Sequence, residues 1–211
     1  LILGEREMVL MEKEQFKTLF DCTDVGEMKE YVGCKMDYDR EERSLKITQP
    51  VMLQSFRDEF DLPKGGPAPK IPAEAGRLLG DGLPAPERNW MSKEKMKMYR
   101  SGVGKLLHMM RWSRPELLNS VRECSRYMSG AMEVHLLGMK KIMRYAVETA
   151  ERGLKLQPKG SWDGVSDIEF ELDGWSDSEF GKDPSRKSVN GWSTTLNGAP
   201  ISTRSKMMPI L

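Results

Sequence analysis

Asp177, Glu179 and Asp183 place three carboxylates within seven positions of one another, in the stretch GWSDSEFGKD. Carboxylate oxygens are the usual ligands of Mg²⁺, and two-metal phosphodiester hydrolysis needs several of them around ions about 3.5–4 Å apart. One ion then activates a water and the other stabilises the leaving oxygen. Asp177 is the sharpest of the three, because the alternation IEFELDGW places it at the end of a β-run. An Asp between two serines is also an ordinary turn former, and an acidic loop is also simply solvated. Arg186 and Lys187 follow directly, either neutralising that loop or meeting a phosphate.

Other chemistry-bearing residues read as structural. In MDYD, Asp37 and Asp39 flank Tyr38 instead of following an aromatic as a pair, and they run into the charged turn DREER, so they read as hairpin-end residues. His108 and His135 fall in helical segments without an acid–base partner in sequence. Cys22, Cys34 and Cys124 are an odd number with no CxxC pair, which predicts three reduced, buried thiols and no disulfide or zinc framework. There is no glycine-rich phosphate loop and no nucleophile elbow. The clustered methionines among the sixteen in the chain, Met96, Met98, Met109, Met110, Met139 and Met143, are expected to fill a core.

The elements that must position these residues follow from periodicity. Residues 1–4 read as the end of a buried strand, and residues 5–20 as a helix packing one face inward. EYVGCKMDY and SLKITQ form a hairpin around the charged turn. Pro50 suits the first turn of a helix through Phe60, with Val51, Leu53, Phe56 and Phe60 on or near one face. Residues 61–90 hold six of the twelve prolines and five glycines, a density that admits neither helix nor central strand and marks a tether.

Three apolar stripes follow, Tyr99–Met110, Leu117–Cys124 and Leu136–Ala146, broken by Ser113-Arg114-Pro115 and Ser129-Gly130; they predict a helical bundle. After Gly153 the period becomes two, and Asn197-Gly198 supplies a hairpin turn. The fold class is therefore α+β. Its units are a helix and hairpin (1–60), a linker (61–92), a bundle (93–152) and a small antiparallel sheet (153–211).

The net charge of +1 hides a strong pattern. Residues 93–144 are net +8, residues 145–183 net −6, residues 1–92 net −5 and residues 184–211 net +4. A basic helical middle beside an acidic strand suits a nucleic-acid track next to a metal site, although solvated helix faces produce the same pattern. No run of about 18 apolar residues exists to span a membrane, and the N-terminal stretch has no signal-peptide layout. The chain starts on Leu and ends on MMPIL, which reads as a piece of a longer polypeptide.

Five blocks in order resemble the copia-type retrotransposon polyprotein, from the end of the reverse transcriptase palm into ribonuclease H. They are FDCTDVGEMKEYVG, SLKITQPVMLQSFRDEF, the proline-rich link, the stretch from YRSGVGKLLHMMRW to AERGLKL, and DGWSDSEFGKDPSRKSVNGWSTTLNGAPISTRSK. The resemblance implies a palm end, a thumb and connection gripping template–primer duplex or RNA–DNA hybrid, and the first strands of ribonuclease H. It puts Asp177 at that domain's first metal-binding and catalytic aspartate, with two Mg²⁺ as the cofactor of the intact site. The later Glu and Asp ligands would lie beyond Leu211, and the polymerase aspartates before Leu1.

Trp175, Glu179 and Phe180 depart from the family pattern. Phosphate contacts are expected from Arg100, Lys105, Arg111, Arg114, Lys140, Lys141, Arg144, Arg186 and Lys187. The implied partners are the nucleic-acid duplex and the remaining segments of the polyprotein, with no membrane. The implied setting is a cytoplasmic virus-like particle whose parent element enters the nucleus. A decayed, catalytically silent binding module and a self-contained nuclease using Asp177, Glu179 and Asp183 are the competing expectations.

Overall fold

The computed structural model describes residues 5–73, 91–157, 170–181 and 187–208. The predicted strand at residues 1–4 lies outside these. The chain is mixed α and β, and both its sheets are antiparallel.

Helix α1 runs Arg6–Leu19 and buries none of its residues, so the expected inward face has no core to meet. Strands β1 (Glu30–Tyr31), β2 (Cys34–Asp39) and β3 (Ser44–Thr48) follow. Asp39 Oδ1 accepts the backbone N–H groups of Glu41 and Glu42, each at 2.9 Å, and so closes the β2–β3 turn. That is the hairpin-end role expected of MDYD. Helix α2 (Pro50–Glu59) starts on its proline, buries Leu53 and Phe56, and leaves Val51 exposed.

Ser92 caps helix α3 (Lys93–Trp112), its Oγ accepting from the Lys95 N–H at 3.3 Å. Pro115 opens a short 3₁₀ turn into α4 (Leu118–Ser125), and α5 (Glu133–Glu148) completes the bundle. One apolar cluster joins Leu53, Phe56 and Phe60 to Tyr99, Val103, Leu106, Val121, Met139, Ile142 and Met143. The units expected at 1–60 and 93–152 therefore share a core. Gly102 permits the close approach of α3 and α5, since a Cβ there would stand 2.5 Å from Met139 Sδ. Tyr99 pins α3 to α4 by donating its hydroxyl to the Cys124 carbonyl at 2.6 Å. Burial raises that phenol's pKa and pushes the Cys124 thiol up to about 12. Cys34 and Cys124 are buried as expected, whereas Cys22 is exposed.

Strand β4 (Leu154–Leu156) pairs with β3, Ile47 opposite Leu154. It was expected to open the last unit, and instead it completes a first sheet ordered β1-β2-β3-β4. Gly153 makes this possible: a Cβ there would sit 2.4 Å from the Ile47 carbonyl oxygen. The second sheet is the meander β5 (Leu172–Glu179), β6 (Val189–Leu196) and β7 (Ala199–Met207). Its β6–β7 turn has Asn197 at φ 48° and Gly198 at φ 79°, the backbone expected from that dipeptide.

Candidate nucleic-acid interface and carboxylate strand

Asp177 lies inside β5 and not at its end, because the strand starts at Leu172 and runs to Glu179. Its partner across the ladder is Gly191, which in turn faces Ser205. Gly191 presents no side chain across from the exposed Asp177. Strand alternation places Glu179 on the same face. Asp183 and Arg186 lie outside the described residues. Two carboxylates on one exposed strand do not make a two-metal site, which draws ligands from several elements. Among the described residues no three His, Cys, Asp or Glu side chains converge. Mg²⁺ is thus not fitted by these residues alone.

The basic residues divide by what they touch. Arg114, expected on the phosphate track, is buried at 2% exposure. Its Nη1 donates to the carbonyls of Ala146 (3.3 Å) and Thr149 (3.1 Å), its Nη2 to Thr149 Oγ1 (2.7 Å) and its Nε to Glu116. The guanidinium also stacks 5.5 Å from the Tyr145 ring centre. Arg114 therefore caps the C-terminal end of α5, where orphan carbonyls and the helix dipole favour a cation. The Pro115 turn aims it inward, and the sequence gives no warning of that.

Lys105 pairs with Glu59 and reaches Ser55 Oγ at 3.1 Å, bridging α3 to α2. Arg100 Nε donates to the Met128 carbonyl at 2.7 Å. Lys140 donates to the Asp61 carbonyl at 3.0 Å, and Arg144 to those of Gly66 (3.1 Å) and Pro67 (3.3 Å). These two hold the start of the proline-rich segment against α5, so its first residues are strapped down. Arg111 and Lys141 are exposed and make no hydrogen bond or ion pair among the described residues. Lys187 is half-buried.

Sequence reasoning missed Arg204 on β7, whose guanidinium lies 5.4 Å from the centre of the Trp192 ring. The register pairs those two residues directly, so the alternation of VNGWSTTL and APISTRS held the signal. It also missed Gln49, which is buried, donates toward His108 Nδ1 at 2.7 Å and accepts from Ser113 Oγ at 2.7 Å.

The Pol polyprotein of the tobacco (Nicotiana tabacum) transposon TNT 1-94, named retrovirus-related, is 26% identical over 209 residues, 98% of this chain and 15% of that protein. The retrovirus-related Pol polyprotein of transposon RE1 from Arabidopsis thaliana is 31% identical over 127 residues, 58% of the chain and 8% of that protein. Secreted RxLR effector protein 161 of Plasmopara viticola is 32% identical over 109 residues, 51% of the chain and 71% of that protein. The chain is thus similar to retrovirus-related Pol polyproteins of plant transposons. It spans a small part of the length of either polyprotein. No family model and no solved structure matches it. Among the described residues, no helix is long and apolar enough to cross a membrane.

Proposed function

We propose that this chain is the reverse transcriptase–ribonuclease H portion of a retrotransposon Pol polyprotein and grips template–primer or RNA–DNA hybrid by its phosphates. The supporting observation is the alignment with the tobacco Pol polyprotein, which runs through helices and sheets alike over 98% of the chain. Exposed Arg111 and Lys141, which have no polar partner among the described residues, supply positive charge on the bundle, and Lys187 follows the carboxylate strand in sequence. Such contacts fix position without reading sequence. In this reading Asp177 is one ligand of a two-Mg²⁺ ribonuclease H site completed by carboxylates other than those the described residues bring together. The rest of the polyprotein is then a partner of the chain.

The test is fluorescence anisotropy with RNA–DNA hybrids of unrelated sequence. Equal affinity for all of them is the expected result. Strong dependence on sequence, or no binding, overturns the proposal.

A second reading, a catalytically silent binding module, draws on the lack of a converging ligand cluster among the described residues. Genomic sequence on both sides separates the two. An upstream aspartate pair with downstream Glu and Asp codons supports a live enzyme, and frameshifts or stop codons support a relic.

A further inference from the structure

A cleft of about 640 Å³ lies where the end of α3, the start of α4, strand β4 and strand β7 come together. Leu118 and Leu154 belong to its apolar lining, and Thr203 and Ser205 supply hydroxyls. Its charged lining residues are Arg111 and Arg204, and no described carboxylate shares the wall with them. These arginines come from the bundle and from the second sheet, 93 positions apart in sequence.

Most of the basic residues expected to meet phosphate are already spent on carbonyls or carboxylates of this chain. The two cleft arginines are not: Arg111 has no polar partner among the described residues, and Arg204 lies over the Trp192 ring. Two like charges facing one cleft without a counter-charge repel, and an anion placed between them removes that repulsion. A guanidinium offers five N–H donors in a planar fork that matches phosphate oxygens. The apolar part of the wall suits the sugar edge that flanks each phosphate of a nucleic-acid strand. The two arginines would repel a metal cation, and an apolar ligand would leave them unused.

We infer that this cleft seats the backbone of one nucleic-acid strand, with Arg111 and Arg204 clamping a phosphodiester between the bundle and the second sheet. This rests on the duplex-binding reading above and names where the strand crosses from one unit to the other.

The experiment measures hybrid affinity of the full chain between 50 and 200 mM salt, for wild type, Arg111→Gln/Arg204→Gln, the matching double Lys variant, and Lys17→Gln on α1. Each phosphate contact contributes a slope of about 0.9 in log K against log salt, so a fourfold rise in salt weakens binding about 3.5-fold per contact. The double Gln variant is expected to lose about 3.5-fold of the wild-type fall across that range, the share of the one phosphate the clamp holds. The double Lys variant restores most of it, and Lys17→Gln leaves it unchanged. Wild type that binds, with a double Gln variant of equal slope, overturns the cleft assignment and leaves the duplex reading standing. Wild type that does not bind contradicts the duplex reading itself, and the cleft assignment falls with it.

Discussion

Replacing Arg114 separates what its position in sequence suggests from what its surroundings do. The guanidinium makes three hydrogen bonds to the end of α5 and one to Glu116 while almost wholly buried. Arg114→Ala strands the Ala146 and Thr149 carbonyls and opens space against Tyr145. Bonds to a charged group contribute about 1.5–3 kcal/mol each, and removing one partner from a buried charged network costs about 3–5 kcal/mol in total. Glu116 is more than a third exposed, so its share is small. The expected loss is therefore about 3–5 kcal/mol, a large fraction of a typical 5–15 kcal/mol stability. Arg114→Met keeps the stem against Tyr145 but leaves the same carbonyls unpaired, so it falls between Ala and wild type. Urea unfolding reads this as a lower midpoint at unchanged slope. If Arg114→Ala kept wild-type stability within about 0.5 kcal/mol and instead weakened duplex binding, the buried cap would be refuted and a surface phosphate contact restored.

Other outcomes follow from single features. Gly153→Ala drives a Cβ into the Ile47 carbonyl and should destabilise by about 1–3 kcal/mol, whereas Gly104→Ala, with open space at its Cβ inside α3, should stabilise by up to about 1 kcal/mol; thermal melts of the pair check both. Burial lowers His135 from 6.5 to about 4, so the unfolded chain binds the proton more tightly. Stability should then hold above about pH 6.5 and fall as pH drops toward 4, by on the order of 3 kcal/mol, and His135→Gln should flatten that limb in urea titrations at each pH. In Mg²⁺ the chain should leave RNA–DNA hybrid uncut on a denaturing gel. Cleavage that Asp177→Asn abolishes would show a self-contained site.

Much of the architecture is legible in periodicity. Pro50, Pro115 and Asn197-Gly198 punctuate where expected because each acts through its own φ, independent of distant contacts. The bundle's apolar stripes likewise declare the core, Met139 and Met143 included. Long-range pairing does not declare itself. A three-residue strand such as Leu154–Leu156 carries no mark that it joins Ser44–Thr48 and not the nearer meander; only the Gly153 contact with Ile47 explains it.

Charge is the least legible feature. Arg111 and Arg114 stand three apart, yet one is exposed and the other caps a helix from inside, because α3 ends at Trp112 between them. Lys140 and Arg144 look like a phosphate track in sequence and instead hold the carbonyls of Asp61, Gly66 and Pro67. Asp177 was readable as an exposed strand carboxylate, but its Gly191 partner needed the register.

This chain is proposed to hold a nucleic-acid duplex through its phosphates. The most direct test is the slope of log affinity against log salt for a short RNA–DNA hybrid. With Arg111 and Arg204 on one shared phosphate and Lys141 and Lys187 on one each, the predicted slope is about −2.7, near −0.9 for each phosphate contact. A slope near zero, or no binding at low salt, would contradict the account.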